Sequence, residues 1–347
     1  MTTALPELAP RHALSRGIYL VTGGGGYLGS HLARTLLAAG RPVRILDVAF
    51  GPGCPGEAEA VEVDVRDAAA VRSAMAGVGR VFHVAFVQSL SRRPEAERRA
   101  VNLGGTRAVV EAAADAGVDR LVFASTIEIY GTRPPDPCPE DAPVDDPVGW
   151  YGLHKSLCEE IVFSVARERG LPATALRMPT ICGLGFYNHR PLLSLMDRIL
   201  DDRTVAVIGD GDVPGDFVHL DDVLQAFRLA GERPGAVGEA FNVSARATAT
   251  HREVVEAMIA AAHSGSTIRR VPRALARLAL PAGRALRLHD LPACQDGYLF
   301  HPNRYSIEKA RRLLGFAPVH STVEAATALI RGYQEDRPAA RRRAANY

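Results

Sequence analysis

A glycine cluster between a short apolar run and a helical pattern constrains this chain more than any other feature. Residues 18–21 predict a strand, the pattern from residue 29 predicts a helix, and the turn between them carries Gly23, Gly26, Tyr27, Leu28 and Gly29. Such a strand–turn–helix unit lets the backbone approach a pyrophosphate, and the helix N-terminus offers it free N–H groups. The sequence therefore predicts a dinucleotide cradle rather than a flexible glycine loop.

The alternation of apolar runs and helical patterns continues through the first half of the chain. It predicts strands at 18–21, 42–46, 60–63, 80–84, 121–125 and 174–178, and helices near 29–39, 68–76, 94–116 and 151–169. This order indicates an α/β fold with a doubly wound parallel sheet, in which ligands bind beyond the carboxyl ends of the strands. The Pro-rich segment 131–149 is expected to be an irregular loop near the site.

The alternation weakens after Met178, which indicates a smaller, discontinuous α/β substrate lobe. Helices are expected at 192–200, 221–230, 250–262 and 306–314, and strands at 205–208 and 217–220. We assign 17–178 with part of 217–245 to a cofactor domain, and 179–216 with 246–335 to the lobe. Residues 1–16 are interpreted as an N-terminal extension, and 336–347 as a disordered basic tail.

Composition excludes several classes of function for the 347-residue chain. The formal net charge is +2 and no apolar stretch is as long as a membrane span, so neither a nucleic-acid nor a membrane partner is expected. The five cysteines are scattered without CxxC spacing, so no disulfide framework and no metal site is predicted. These features favour a cytoplasmic protein that acts on a small molecule.

Two acidic residues follow predicted strands at places where a dinucleotide needs them. Asp47 lies about 20 residues past the glycine turn, where a carboxylate accepts hydrogen bonds from a ribose diol and repels a 2′-phosphate. No arginine directly follows it, so NAD is favoured over NADP. Asp64 is a candidate for the adenine amino group, whereas Asp67 is expected to cap the next helix.

Tyr151 and Lys155 stand four residues apart on a predicted helix and therefore share one face. An ammonium near a phenol favours the phenolate, so we expect a lowered pKa for Tyr151. Such a tyrosine takes a proton from an alcohol while hydride leaves for a nicotinamide. Lysine occurs only twice among 41 basic residues, which favours a specific role for this one over a surface pair.

Three polar residues end the strand that precedes the Pro-rich loop. Ser125 and Thr126 are candidates to hydrogen-bond the reacting oxygen, although serine and threonine at strand ends commonly serve as turn or cap residues. Glu128 is either an additional acid/base or a solvated turn residue, and the sequence leaves both interpretations open.

Together these residues resemble the extended short-chain dehydrogenase/reductases, especially the NAD-dependent epimerase/dehydratase group. The resemblance covers about residues 17–335 and rests on Thr22-Gly23-x-x-Gly26-x-x-Gly29, Asp47, Asp64-Val65, His83-Val84-Ala85, Asn102, Ser125-Thr126 with Tyr130-Gly131, Tyr151-x-x-x-Lys155, and the runs at 216–222 and 306–315.

The resemblance implies a role for each matching residue. Tyr151 is the acid/base, Lys155 binds the nicotinamide ribose, and Thr126 contacts the substrate oxygen. The resemblance also implies a homodimer through a helix bundle that includes the Tyr151/Lys155 helix. The expected cofactor-binding set is Gly23, Gly26, Tyr27, Leu28, Gly29, Asp47, Asp64, Val65, Val84, Ala85, Asn102, Tyr151, Lys155 and Met178.

The chain departs from that family where sugar-nucleotide members grip a diphosphate. Thr180 stands where those members commonly have asparagine, Gly215 stands where they have arginine, and residues 295–298 lack a second family arginine. Arg190 and Arg304 are candidate substitutes. Glu128 occurs in sugar-nucleotide dehydratases and decarboxylases, and also in some hydroxysteroid dehydrogenases of the family.

Three functions remain open from the sequence. The first is an NAD-dependent enzyme of epimerase/dehydratase type that oxidises a secondary hydroxyl of a sugar-like, possibly nucleotide-sugar, substrate. The second is a net dehydrogenase or ketoreductase for an apolar alcohol, of hydroxysteroid type. The third is a non-catalytic NAD-binding sensor, which the presence of both Tyr151 and Lys155 disfavours.

Overall fold

A computed structural model describes residues 17–51, 53–89, 91–183, 185, 190–286, 289 and 291–345, with backbone only at 190 and 338–345. The described residues form thirteen strands: β1 (Ile18–Thr22), β2 (Val43–Asp47), β3 (Glu59–Glu62), β4 (Val78–His83), β5 (Arg120–Thr126), β6 (Ala173–Met178), β7 (Thr180–Cys182), β8 (Val205–Ile208), β9 (Pro214–Gly215), β10 (Phe217–His219), β11 (Ala240–Asn242), β12 (Ala249–Thr250) and β13 (Ile268–Val271).

Eleven α-helices accompany these strands within the described ranges. They are α1 (Tyr27–Ala38), α2 (Ala68–Ala74), α3 (Glu95–Arg99), α4 (Gly105–Asp115), α5 (Gly149–Arg169), α6 (Arg190–Leu200), α7 (Leu220–Glu232), α8 (His251–Ala261), α9 (Arg273–Ala285), α10 (Glu308–Leu314) and α11 (Thr322–Ala345). Short 3₁₀-helices span Ile127–Tyr130, Pro234–Ala236 and Ala293–Leu299, and a π-helix spans Ala100–Gly104.

The centre of the molecule is a seven-stranded parallel sheet in the order β11-β6-β5-β4-β1-β2-β3. Its middle strands are buried on both faces, with α1, α7 and α10 packed on one side and α2, α4 and α5 on the other. The order reverses between β1 and β4, which is the switch point where such sheets bind ligands. The doubly wound α/β fold predicted from the sequence is confirmed.

The helix predicted near 94–116 is helical from Glu95 to Asp115, but it contains a π-helical turn that the sequence did not predict. The segment consists of α3, a π-helical turn at Ala100–Gly104 and α4. The turn holds Asn102, whose Oδ1 accepts a hydrogen bond from the Val87 backbone N–H at 2.8 Å. A π-bulge thus redirects a polar side chain toward the end of β4, as such bulges often do at functional sites.

The second lobe has its own apolar core, built from α6, α8, α11 and the strands β8 and β13. The lobe is more interrupted than predicted, because Ile307, Ala310, Leu314 and Phe316 pack into the core of the large sheet. The segment 131–148 contains neither helix nor named strand, as its prolines predict. No helix among the described residues is long and apolar enough to cross a bilayer.

The tail from residue 336, expected to be disordered, continues α11 as a helix to Ala345. Two contacts explain why the helix extends past the lobe. Arg337 donates hydrogen bonds to Asp197 on α6 at 2.9 Å and to Asp201, just after α6, at 2.7 Å. Alanine and arginine, which dominate the tail, are also strong helix formers.

Candidate active site

The glycine turn between β1 and α1 forms a close-packed cradle that has no room for side chains. A Cβ at Gly29 would collide with the carbonyl oxygen of Gly23, and one at Gly25 with the carbonyl oxygen of Ala49. Gly23 has φ +72°. The N-cap of α1 is Gly26, which provides no side-chain cap, and the first turn carries no acidic residue. The free N–H groups and positive dipole end of α1 therefore fit a diphosphate.

Asp47 lies at the end of β2, directly beside this turn. Its Oδ2 accepts a hydrogen bond from the Gly25 backbone N–H at 2.9 Å, and its Oδ1 accepts one from Val48 at 2.8 Å. Burial raises the pKa of the carboxyl. The residue thus fixes the turn and stands where the ribose of a dinucleotide is expected.

The strand end at Val84 and Ala85 closes the other side of the turn. Both backbone N–H groups donate to Thr22 Oγ1 at 3.2 Å. Thr22 Oγ1 also lies 2.7 Å from Nδ1 of His83, which burial keeps neutral by lowering its pKa to about 3. The structure therefore brings the predicted residues Val84 and Ala85 against the glycines.

The remaining candidates for cofactor contact lie at neighbouring strand ends. Asp64 is held by the guanidinium of Arg66, with Oδ2 2.5 Å from Nη2. Val65 is buried against Gly105, and Met178 is buried at the end of β6. Asn102 reaches this edge of the sheet from the π-helix. Asp67 accepts from two backbone N–H groups of α2, so its predicted role as a cap is confirmed.

Tyr151 and Lys155 lie in the first two turns of α5, as predicted, but their contact differs from the expected one. The Lys155 ammonium donates to the carbonyl oxygen of Ala124 and lies 3.6 Å from the ring centroid of Phe86. Burial lowers its pKa to about 7. The Phe86 ring also packs edge-on against Tyr151, with centroids 5.6 Å apart.

The expected lowering of the Tyr151 pKa is wrong for this structure. Burial, and then the nearby carboxyl of Glu128, raise the pKa of Tyr151 well above its usual range. The ammonium of Lys155, 5.8 Å from the Tyr151 ring centroid, does not offset these two effects. Tyr151 is therefore held as a proton donor.

Glu128 belongs to this cluster and is not a solvated turn residue. Its backbone carbonyl accepts from the Val148 N–H at 2.8 Å, which fixes the start of α5 beside it. Its Oε1 accepts from Nε2 of Gln295 at 3.4 Å. Burial raises the pKa of the Glu128 carboxyl to about 7. The role of Glu128 was left open by the sequence. The contact with Gln295 could not be predicted, because Gln295 lies 167 residues further along the chain.

The two hydroxyls at the end of β5 differ in their surroundings. Thr126 Oγ1 accepts from the Glu128 N–H at 3.3 Å and donates to the Met178 carbonyl at 3.4 Å, so it caps the 3₁₀-helix Ile127–Tyr130. Ser125 is buried, and its Oγ has no hydrogen-bond partner among the described residues. The local role of Thr126 is thus that of a cap.

A buried ion pair, which could not be predicted from the sequence, lies behind the candidate site. Arg177 on β6 donates to both carboxylate oxygens of Glu159 on α5, at 2.7 to 3.2 Å. The same guanidinium donates to Tyr130 Oη at 2.7 Å and to the Glu140 carbonyl at 2.8 Å. This network ties α5 to the Pro-rich loop.

The arginines considered for a diphosphate of the substrate are not gathered at the site. Arg304 makes a two-pronged contact with Asp136, both bonds being 2.7 Å. The side chain of Arg190 lies outside the described residues. A Cβ at Gly215 would lie 3.1 Å from Nε2 of His251, so that position has little room for a longer side chain.

A further cluster lies between α7 and the loop before α11. Potential ligand atoms of His219, Asp221 and His320 lie within 4.8 Å of one another. The two imidazole rings stack with centroids 3.9 Å apart and an interplanar angle of 25°, and Nδ1 of His320 lies 3.2 Å from Asp222. In two near-parallel rings the nitrogen lone pairs point in parallel directions rather than at one ion. We therefore interpret the cluster as a contact that joins the start of α7 to the loop before α11.

A glycine cradle at a sheet switch point, with a tyrosine and a lysine on the adjoining helix, defines a nucleotide-dependent oxidoreductase of the short-chain dehydrogenase/reductase class. The model of the NAD dependent epimerase/dehydratase family matches residues 19–244. The chain belongs to this family and is an NAD-dependent enzyme of the extended short-chain type.

The relatives in this family have different substrates. The UDP-glucose 4-epimerase of Streptomyces lividans is 33% identical and covers 69% of this chain and 79% of its own length. A 3 beta-hydroxysteroid dehydrogenase/Delta 5-->4-isomerase of Mycobacterium tuberculosis is 28% identical over 91% of this chain and 90% of its own. The structure of epimerase Mth375 from Methanothermobacter thermautotrophicus aligns with a TM-score of 0.77 and 24% identity, covering 94% of each chain.

Proposed function

We propose that the chain oxidises a secondary hydroxyl of a sugar-like substrate to a ketone, with Tyr151 as the acid/base. The observation that carries the proposal is the group of Tyr151, Glu128 and Lys155 beside the cradle for NAD, in which Lys155 is buried and the other two are half-buried. Burial shifts the pKa of all three residues, the carboxyl of Glu128 raises that of Tyr151 further, and such shifts cluster at functional sites.

Proton movement is the part of the reaction that this chain supplies. NAD, when bound in the cradle, supplies a nicotinamide that accepts hydride. The hydroxyl of the half-buried Tyr151 exchanges a proton with the substrate oxygen. Glu128, with a pKa of about 7, is suited to taking or giving a second proton at a carbon or oxygen one bond away. Two such groups fit a reaction with two proton transfers, such as an epimerisation or a dehydration that returns the hydride.

Three more specific proposals concern the substrate, the oligomeric state and the location of the protein. The similarity to a UDP-glucose 4-epimerase supports a nucleotide-sugar substrate. Leu153, on the same helix as Tyr151, is 43% exposed, which supports a homodimer through α4 and α5. The scattered free cysteines support a cytoplasmic location.

A panel of UDP- and dTDP-hexoses tests the proposal. The purified protein with NAD is incubated with each sugar, products are read by NMR, and NADH is followed by its absorbance. We expect a product without net NADH accumulation. Tyr151→Phe should retain NAD binding and lose about 10²-fold or more of the rate. Stoichiometric NADH, or full activity in Tyr151→Phe, would refute the internal redox cycle with Tyr151 as acid/base.

A second candidate is a net dehydrogenase or ketoreductase for an apolar alcohol. The crowding at Gly215 favours it, because this position has little room for the cationic side chain that a diphosphate would need. Thermal-shift measurements with UDP and dTDP separate the two candidates. Clear stabilisation by either nucleotide counts against the apolar substrate.

A further inference from the structure

The ammonium of Lys155 lies inside the protein without a carboxylate partner among the described residues. Lys155 is only 3% exposed, and its hydrogen bond goes to the carbonyl oxygen of Ala124. An amine that is removed from water tends to lose its proton unless nearby groups stabilise the charge. The charge that Lys155 brings to the site therefore depends on the neutral groups around it.

Three aromatic rings lie around this ammonium, and Phe86 is the nearest of them. The ring centroids of Phe86, Phe123 and Tyr151 lie 3.6, 4.9 and 5.8 Å from the Nζ atom. The negative face of an aromatic ring attracts a cation within about 6 Å of its centroid, and the attraction is stronger where water is excluded. At 3.6 Å, Phe86 is the ring that acts most strongly on the charge.

The same ring also contacts Tyr151. The two rings meet edge-on, with centroids 5.6 Å apart and an interplanar angle of 88°, an arrangement that aromatic pairs prefer. Phe86 directly follows Ala85, whose backbone N–H donates to Thr22 beside the glycine turn. A half-buried ring held at this strand end thus sets the spacing between the amine of Lys155 and the ring of Tyr151.

We propose that Phe86 is a positioning residue, whose ring face holds the ammonium of Lys155 beside Tyr151 and keeps it charged at neutral pH. The proposal deepens the proposed function and rests on it for the part that Phe86 has in the reaction. Burial is the largest effect on the amine and lowers its pKa to about 7, so the charged and neutral forms are nearly balanced. A cation–π contact favours only the charged form and therefore decides this balance.

The titratable groups that face the amine do not replace this contact. Burial raises the pKa of the Cys158 thiol, which is on the same helix, and keeps it neutral. The next residue, Glu159, favours the ammonium, but its carboxylate is held by Arg177 at 2.7 Å. His83 at the end of β4 is neutral, since burial lowers its pKa and both ring nitrogens lie within 2.9 Å of threonine hydroxyls. Phe86 is therefore the contact whose removal should change the charge.

Nuclear magnetic resonance of the full-length protein with ¹³C-labelled lysine tests the proposal. The chain has only two lysines, so a Lys309→Arg background leaves the side-chain signal of Lys155 alone. We expect its ε-methylene protons to resonate upfield of those in free lysine, because the adjoining Nζ lies over the ring of Phe86. In Phe86→Leu the midpoint of the Lys155 titration should fall by about one pH unit, a tenfold loss in the ratio of ammonium to amine. Phe86→Tyr keeps the ring and should titrate as the wild type does.

Calorimetry of NAD binding as a function of pH gives a second measurement. A charged amine donates more strongly than a neutral one to a ribose hydroxyl, so the affinity should fall as Lys155 loses its proton. This fall should occur at correspondingly lower pH in Phe86→Leu. Phe163→Leu, which removes a half-buried ring from the same helix, is the matched control and should leave both the titration and the NAD profile unchanged.

Several results would overturn the proposal. They are the absence of the upfield shift in the wild type, an unmoved midpoint in Phe86→Leu, an equal movement in Phe163→Leu, and a midpoint in Phe86→Tyr that falls as in Phe86→Leu. An NAD profile that stays in place while the midpoint moves would overturn the positioning role. Neither measurement needs turnover, so a failed sugar panel with a moved midpoint and a moved profile would overturn the proposed reaction alone. The wild-type shift and Phe86→Tyr keep the test decisive whatever the stability of Phe86→Leu.

Discussion

Replacing Glu128 with glutamine should stabilise the protein at alkaline pH and leave its stability nearly unchanged at acidic pH. Burial raises the pKa of this carboxyl from 4.5 to about 7 in the folded state. Between these values the unfolded chain has released the proton and the native chain still holds it, so stability falls as pH rises. At about 1.4 kcal/mol per pH unit, the full loss is about 3 kcal/mol above pH 7. Glutamine, a neutral amide of the same size, removes this loss.

Urea unfolding of both proteins measures the effect. The stability difference between Glu128→Gln and the wild type should grow from near zero at about pH 4.5 to about 3 kcal/mol at about pH 8.5. Other titrating groups are common to both proteins and cancel in the difference. Glu160→Gln, at an exposed position of α5, is the control and should give the same difference at both pH values. A pH-independent difference for Glu128→Gln would refute the burial of Glu128 beside Tyr151.

Three further outcomes are expected. Gly29→Ala should abolish NAD binding measured by calorimetry, because the new Cβ collides with the Gly23 carbonyl and opens the cradle. Asp47→Ala should weaken NAD binding about tenfold or more in the same assay, since a charge-assisted hydrogen bond contributes about 1.5–3 kcal/mol. Glu159→Ala should lower the free energy of unfolding by about 3–5 kcal/mol in urea titrations, because it leaves Arg177 buried without its carboxylate; a loss below 1 kcal/mol would contradict the buried ion pair.

The parts of the fold that local patterns specify were predictable from the sequence. The strand β8 occurs at 205–208 as expected, and the first six sheet strands lie within about two residues of their predicted bounds. Strand β11 was missed because its three residues form a strand only through pairing with β6. Helix α9 was missed because its apolar side faces away from the core, so hydrophobic patterning gave no place for it in the fold.

The candidate site shows the same division between local and long-range information. Asp47 could be placed from its spacing to the glycine turn, since both belong to one β–α–β unit. The environment of Tyr151 could not be deduced, because it depends on Phe86 and Glu128, which approach from two other strand ends. The spacing of Tyr151 and Lys155 was enough to place both on one helix, but the sign of the pKa change of Tyr151 depends on burial in the three-dimensional structure.

Arg304 and Gly215 differ in how strongly they argue against a diphosphate group on the substrate. The pair between Arg304 and Asp136 is partly exposed, and such pairs are worth about 0–1 kcal/mol, so a bound diphosphate would break it at little cost. Gly215 argues more strongly against a diphosphate-binding side chain. A Cβ at this position would lie 3.1 Å from Nε2 of His251, so a longer side chain would have to displace that ring. A diphosphate at this place would therefore meet a neutral backbone and an imidazole whose pKa burial lowers, rather than a fixed cation. Recognition of the substrate is thus expected to rest on hydrogen bonds and shape more than on charge.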